Sequence, residues 1–203
     1  IPHYYLSHSV ALESAVAWLA EANRERRPGE RVLAGALFVK AAAIALREFP
    51  AFNGFFENGV FSARDRVHLG VAIAIRGGGL VAPAIHDVDQ LGLDEVMARL
   101  RDLTRRVRAG RFKQSELRDP TATLSHLGER GVDTLYPVIY PPQVACIGVG
   151  TPTRRPWVLG DGTLAACQVV TLSLGADHRV SDGRDGARLL NRIAELLQKP
   201  DEL

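Results

Sequence analysis

The sequence predicts an α/β protein in which helices cover a mixed β-sheet. Strand-like and helix-like stretches interleave along the 203 residues, but without the regular βα alternation of a doubly wound parallel sheet. The composition, 46% hydrophobic and 24% charged, is that of an ordinary globular protein. A chain of this length can bury its core in one unit, so we expect a single domain over residues 1–203.

The first third of the chain is predicted to form a strand and two helices. Residues 2–10 form the expected strand, and residues 12–26 carry apolar side chains at helical spacing until Arg27-Pro28-Gly29 ends the helix. A second helix is expected over residues 34–49, because Pro50 cannot continue the backbone ladder.

The middle of the chain is predicted to form a hairpin and a long helix. Residues 67–75 and 80–85 are the two expected strands, and Gly77-Gly78-Gly79 is the expected turn between them. Apolar residues then recur at helical spacing over residues 93–109, which predicts an amphipathic helix that Gly110 terminates.

The last third is predicted to supply three more strands and the final helix. The strands are expected over residues 121–125, 144–149 and 164–174, and the helix over residues 182–198. Because strands and helices are mixed in this order, we expect the sheet to contain both parallel and antiparallel pairs.

Charge and hydropathy argue against two classes of partner. The formal net charge is only +2, which gives no general electrostatic case for binding nucleic acid or a membrane surface. The longest apolar stretch, residues 32–46, is interrupted by Lys40 and is too short to span a bilayer. A dense basic stretch could attract phosphates or an acidic partner, but it is expected to be a solvated helix face. Its members are Arg99, Arg101, Arg105, Arg106, Arg108, Arg111 and Lys113.

The two cysteines, Cys146 and Cys167, lie in separate apolar strand-like runs. The expected state is a reduced, buried thiol at each position, which fits a reducing, cytoplasmic location. The histidines lack the spacing of metal ligands, so no metal site is predicted.

One histidine is placed for acid/base chemistry. Asp177-His178-Arg179-Val180-Ser181-Asp182-Gly183 joins the last predicted strand to the last helix, and such a corner holds a side chain at the edge of the sheet. Histidine is also the side chain that titrates near neutral pH. From local spacing alone two other readings stay open: His178 as an ordinary loop histidine, and Asp182 as an N-cap of the helix.

Several segments together resemble a known family. They are residues 123–128, which read Thr-Leu-Ser-His-Leu-Gly, residues 139–150, and the histidine corner at 177–183, with earlier matches at Ile1-Pro2-His3 and Phe52-Asn53. In this order and spacing they resemble the catalytic domain of the dihydrolipoamide acyltransferases, the core components of 2-oxo acid dehydrogenase complexes. The resemblance covers nearly the whole chain and implies the coenzyme A-dependent, chloramphenicol acetyltransferase-like fold.

The resemblance implies an activity and a site. His178 would be the general base that takes a proton from the thiol of coenzyme A or dihydrolipoamide, and Ser125 would donate a hydrogen bond to the carbonyl oxygen of the thioester. Asp182 would organise the site, and Gly183 would permit close backbone packing beside it. In the family the serine and the histidine come from adjacent subunits of a trimer.

The resemblance also implies partners. They are a homotrimer or larger homo-oligomer, a lipoyl group on a separate domain or partner, and other components of a 2-oxo acid dehydrogenase complex. We expect no lipoyl or peripheral-subunit-binding domain in this chain. Two alternatives are a catalytically silent scaffold relative and a stand-alone O-acetyltransferase acting on a small molecule.

Overall fold

A computed structural model describes residues 1–75, 78–128 and 131–203 of the chain. Most of its strands belong to one large sheet. The strands are β1 (His3–Ala11), β2 (Gly54–Glu57), β3 (Val60–Ala63), β4 (Leu69–Val71), β5 (Ile73–Ala74), β6 (Leu80–Val81), β7 (Ala84–Ile85), β8 (Ala122–His126), β9 (Ala145–Val149), β10 (Thr153–Val158) and β11 (Leu164–Asp177). The helices are α1 (Glu13–Ala22), α2 (Ala34–Glu48), α3 (Leu93–Arg108), α4 (Gln114–Arg118) and α5 (Gly183–Gln198).

The large sheet is mixed, as the sequence predicts. Its strand order is β1-β11-β9-β8-β4-β7, with β10 paired to the first part of β11. The pairs β8 with β9 and β4 with β8 are parallel, and the others are antiparallel. Two small antiparallel ribbons, β2 with β3 and β5 with β6, lie outside this sheet.

The helices form a layer centred on α2. This helix contacts α1, α3 and α5, and it also contacts β4 and β8 of the sheet. Ten of its fifteen residues are buried. They include Lys40, whose ammonium group donates a hydrogen bond to the carbonyl of Asp89 at 2.8 Å, so the charge is buried with a partner.

Alternate residues of β11 face opposite sides of the sheet. Leu172, Leu174 and Ala176 belong to the apolar core with the helices. On the other face, the hydroxyl of Ser173 donates a hydrogen bond to the carbonyl of Leu135, so residues 131–140 cover this part of the sheet. The helix layer and this segment therefore enclose β11 from both sides.

The end of α3 confirms the predicted role of Gly110. Gly110 has a φ of 69°, its N–H donates to the carbonyl of Val107 at 2.9 Å, and the N–H of Arg111 donates to the carbonyl of Arg106 at 2.8 Å. This pair of bonds is the Schellman ending, which needs a residue that tolerates positive φ. The basic stretch lies mainly on the outer part of α3, where ion pairs join Arg99 to Glu95 and Arg105 to Asp102.

Some predicted elements have different limits in the structure. The expected strand over residues 67–75 is two short strands, because the N–H of Ala72 donates to the carbonyl of Leu124 and the chain then leaves the main sheet. The hairpin is present as β5 and β6. Of its predicted turn, Gly78 and Gly79 have positive φ, whereas Gly77 lies outside the described residues.

Candidate active site

His178 lies at the corner that the sequence predicts. Strand β11 ends at Asp177, helix α5 begins at Gly183, and the side chain between them is exposed. The N–H of His178 donates to the carbonyl of Pro2 at 2.9 Å, and the N–H of Val180 donates to the carbonyl of Asp177 at 3.0 Å. These two bonds fix the backbone on both sides of the imidazole.

An ion pair between the buried Asp177 and the exposed Arg179 supports the same corner. Asp177 is 0% exposed and accepts hydrogen bonds from Nη2, Nε and the backbone N–H of Arg179, at 2.6, 2.9 and 3.0 Å. Burial by itself raises the pKa of Asp177, but the bonds from Arg179 outweigh burial and lower the pKa. The guanidinium carbon also lies 3.9 Å from the ring centroid of Phe56, a cation–π contact that holds Arg179 in place.

Asp182 is the N-cap of α5. Its Oδ1 accepts the backbone N–H groups of Arg184 and Asp185 at 2.9 and 3.0 Å. The bond from Asp185 lowers the pKa of Asp182, and the N–H of Arg184 and the nearby His178 lower it further. Capping is thus confirmed. We expected Gly183 to permit close packing of the backbone. This expectation is wrong: among the residues that the structure describes, a Cβ at Gly183 would meet no atom within 4 Å.

Tyr4 is a neighbour of His178 that the sequence analysis did not single out. The two rings meet edge to face, with centroids 5.1 Å apart and planes at 65°. The hydroxyl of Tyr4 lies 2.8 Å from the Oγ of Ser181, so one hydroxyl donates to the other. No local spacing in the sequence signals this contact, because β1 and β11 lie at opposite ends of the chain.

Ser125 is half-buried near the end of β8. Its neighbours in the strand point the other way: Leu124 belongs to the apolar core, and the ring of His126 packs on Phe38 of α2. Since successive side chains in a strand alternate, Ser125 faces away from the helix layer.

The register of the sheet keeps Ser125 and His178 of one chain apart. Ser125 pairs with Gly148, and Gly148 pairs with Ser173, so Ser125 is level with a residue five positions before His178. Five residues along a strand and two strand spacings together amount to roughly 19 Å. The fold therefore brings His178 and Asp182 together but not Ser125.

The side chains that could bind a metal ion do not form a metal site among the residues that the structure describes. Within them, no group of three or more histidine, cysteine, aspartate or glutamate side chains is arranged to hold a metal ion. Cys146 and Cys167 are both free and buried, as predicted. Burial raises the pKa of Cys146 to about 12. Across the described ranges, the helices are also too short or too polar to cross a membrane.

The fold defines the structural class of this chain, the chloramphenicol acetyltransferase-like fold. A solved chloramphenicol acetyltransferase matches 97% of this chain over 88% of its own, with a TM-score of 0.63 and 14% identity, a likeness that concerns the fold alone. This match confirms the predicted fold class.

Sequence comparison gives the family. The model of the 2-oxoacid dehydrogenases acyltransferase (catalytic domain) matches residues 1–203, and the chain belongs to this family. The dihydrolipoyllysine-residue acetyltransferase component of the pyruvate dehydrogenase complex of Zymomonas mobilis is 30% identical over 98% of this chain and 45% of its own length. The chain spans less than half the length of these curated relatives.

Solved structures agree with the family. The cubic core of a pyruvate dehydrogenase multienzyme complex matches 98% of this chain and 82% of its own, with a TM-score of 0.90 and 28% identity. The dihydrolipoamide acetyltransferase of Azotobacter vinelandii matches the same shares with a TM-score of 0.90 and 27% identity.

Proposed function

We propose that residues 1–203 are the catalytic domain of an acyltransferase that moves an acyl group between the thiols of dihydrolipoamide and coenzyme A. The observation that carries this proposal is the exposed His178, whose backbone is fixed at a strand-to-helix corner beside the carboxylate of Asp182. Family membership over the whole chain supports the same activity.

In the proposed reaction, His178 accepts the proton of the attacking thiol, which belongs either to coenzyme A or to dihydrolipoamide. The thiolate forms a bond to the thioester carbonyl carbon, and Ser125 donates a hydrogen bond to the oxygen that becomes negative. When the tetrahedral intermediate collapses, the original carbon–sulfur bond breaks and the departing thiolate takes the proton back from His178. The acyl group thus passes directly from one sulfur to the other.

Asp182 has an organising role in this proposal. Its Oδ1 is engaged by two backbone N–H groups, so it is a poor candidate for carrying a proton. The Azotobacter vinelandii relative supports the set of residues, since a serine, a histidine and an asparagine were investigated for their role in its catalytic mechanism. That histidine and asparagine are four positions apart, as are His178 and Asp182.

The separation of Ser125 from His178 leads us to propose a site shared between subunits, and the family resemblance makes a homotrimer its smallest active unit. A serine roughly 19 Å from the base of its own chain can complete the site only across a subunit interface. Larger homo-oligomers are also proposed, and the likeness to a cubic core supports them.

The proposed partners follow from the activity. The lipoyl group would be carried by a separate domain or partner, and the assembly would work with the other components of a 2-oxo acid dehydrogenase complex. We place the protein in the cytoplasm, where the free thiols of Cys146 and Cys167 would stay reduced. The reaction as proposed uses no metal ion.

A steady-state assay tests the activity. The purified chain is incubated with acetyl, succinyl or isobutyryl coenzyme A and free dihydrolipoamide, and S-acyl dihydrolipoamide is measured while light scattering gives the size. Transfer of one acyl group by trimers or larger assemblies is expected. Assembled protein without transfer would indicate the scaffold alternative, and transfer to small hydroxyl acceptors alone would indicate an O-acetyltransferase.

A further inference from the structure

We propose that Tyr4, together with Ser181, is a positioning pair that fixes the imidazole of His178 for proton transfer. The inference rests on the proposed function, because it concerns the orientation of the same general base. Tyr4 acts through His178 and need not touch the substrate.

The sheet register places the Tyr4 ring beside the histidine. Tyr4 of β1 pairs with Ala176 of β11, and paired residues in a sheet project to the same face. His178 follows Ala176 by two residues, so the Tyr4 ring is its diagonal neighbour. The edge-to-face contact, with centroids 5.1 Å apart, is the geometry that aromatic rings prefer.

Helix α5 holds the ring from another side. A Cβ added to Gly186 would lie only 3.1 Å from Cε2 of Tyr4 and 2.8 Å from Cδ1 of Leu6. The first turn of α5 therefore packs directly on β1 because residue 186 has no side chain. The half-buried Tyr4 ring lies between the first turn of α5 and the imidazole, and these neighbours restrict its rotation away from His178.

The hydroxyl of Tyr4 connects the same ring to the turn that carries His178. Ser181 is 8% exposed, lies 2.8 Å from the Tyr4 hydroxyl, and donates its backbone N–H to the carbonyl of Asp177 at 3.2 Å. The pKa of Tyr4 is raised overall. Burial raises it most and the charges of Asp182 and Asp185 raise it further, whereas the hydrogen bond with Ser181 lowers it. The phenol thus keeps its proton at neutral pH and remains able to donate.

These contacts matter because His178 is exposed. An exposed side chain on a turn normally samples several rotamers, and only one of them points a ring nitrogen at the thiol. A misplacement of about 1 Å can cost about a hundredfold in rate, so a packed aromatic neighbour has a direct effect on turnover.

Substitution of Tyr4 tests the inference. Tyr4→Leu removes the ring contact, and we expect kcat to fall at least about tenfold while the KM for coenzyme A changes less than about twofold. Tyr4→Phe keeps the ring and should restore kcat to within about threefold of the wild type. Ser181→Ala removes the same hydrogen bond from the other side and should match Tyr4→Phe, with no further loss in the double variant.

A matched control separates positioning from loss of fold. Phe112→Leu makes a similar change in a half-buried aromatic residue that follows α3. Helix α3 packs on β7, and β7 and β1 are at opposite edges of the sheet. Its kcat should equal that of the wild type. In a His178→Ala background, Tyr4→Leu should leave the residual rate unchanged, since the residue acts only through the imidazole.

Three outcomes would overturn the inference. Wild-type kcat in Tyr4→Leu would do so, as would a further drop in rate on adding it to His178→Ala. If Tyr4→Leu does not fold, additive losses in Tyr4→Phe and Ser181→Ala would exclude a shared role. A wild-type protein that transfers no acyl group between thiols would overturn the proposed function as well, whereas the first three results leave that function intact.

Discussion

His178 combines two kinds of support at one exposed side chain. The carbonyl of Pro2 fixes its backbone, and the ring of Tyr4 packs against its imidazole. The ion pair between the buried Asp177 and the exposed Arg179 anchors the turn to the end of β11. The corner is thus rigid on the protein side while the imidazole itself stays open to substrate.

Removing the imidazole should abolish most of the activity. We expect His178→Ala to lower kcat by a factor of about 10² to 10⁴, because the proposed general base for the thiol proton is lost. The proposed assembly should persist, because the substitution leaves the backbone bonds of the corner intact. Steady-state kinetics and light scattering on the same preparation measure both, and near-normal turnover would contradict the role of His178.

Asp182 permits a test that separates capping from charge. Asp182→Ala leaves two backbone N–H groups of α5 without their acceptor, and we expect the melting temperature to fall by about 3 °C. Asp182→Asn keeps a capping oxygen and should melt close to the wild type.

The effect of Asp182→Ala on the melting temperature should depend on pH in a defined direction. The pKa of Asp182 is lowered in the folded chain, so its stabilising effect is complete above the pKa of the unfolded chain and is lost as the pH falls through the folded value. The difference in melting temperature between the wild type and Asp182→Ala should therefore shrink in acid. A difference that grows as the pH falls would contradict this reading.

At the scale of elements, β11 organises both the sheet and the site. Its fourteen residues pair with β1 on one edge and with β10 and then β9 on the other. Because hydrogen bonds hold β11 along most of its length, the corner that follows it has a fixed position. The sequence predicts this strand over residues 164–174, and in the structure the strand continues to Asp177.

Burial of β9 predicts the reactivity of Cys146. Since its pKa is raised to about 12, almost none of the thiol is ionised near neutral pH. We expect native protein at about pH 8 to resist iodoacetamide at Cys146, and unfolded protein to react fully. Mass spectrometry of the labelled peptides measures this, and equal labelling of the folded and unfolded chains would show that β9 opens readily.

Local patterns account for most of the helices and long strands. Apolar spacing, Pro50 and Gly110 predict α2 and α3 to within a residue at each end. The two-residue strands β5 to β7 and the short helix α4 are harder to predict from the sequence, because they have too few residues to show a hydrophobic period. Their positions depend on neighbours far away in the chain.

In the whole molecule, the two proposed site residues Ser125 and His178 of one chain lie far apart. Ser125 faces away from the helices in the middle of the sheet, and His178 projects from the end of β11. The proposed trimer would join the serine of one subunit to the histidine of the next, so that activity depends on assembly.

Mixed assemblies test this shared site. Ser125→Ala alone should lower kcat by a factor of about 10², because the oxyanion loses one donor. A trimer containing both Ser125→Ala and His178→Ala subunits has one site with both side chains intact. Random co-assembly in equal amounts should therefore recover about a quarter of the wild-type rate.

The control is a mixture of the two variants that were assembled separately and not allowed to exchange subunits. It should show only the sum of the two low rates. An active monomer, or co-assembled mixtures without recovery, would contradict a site built between subunits.

Periodicity and helix ends are local properties of the chain, and they predict the mixed α/β fold and its long elements. The strand-to-helix corner singles out His178, whereas Ser125 and the organising role of Asp182 come from the family resemblance. The tertiary contacts add what local patterns do not show: they keep Ser125 away from His178 and bring Tyr4, Ser181 and the Asp177–Arg179 pair to the corner. The physical reason is that contacts between β1 and β11, or between β8 and β11, depend on strand order and register. Those are set by the packing of the whole sheet rather than by any one segment.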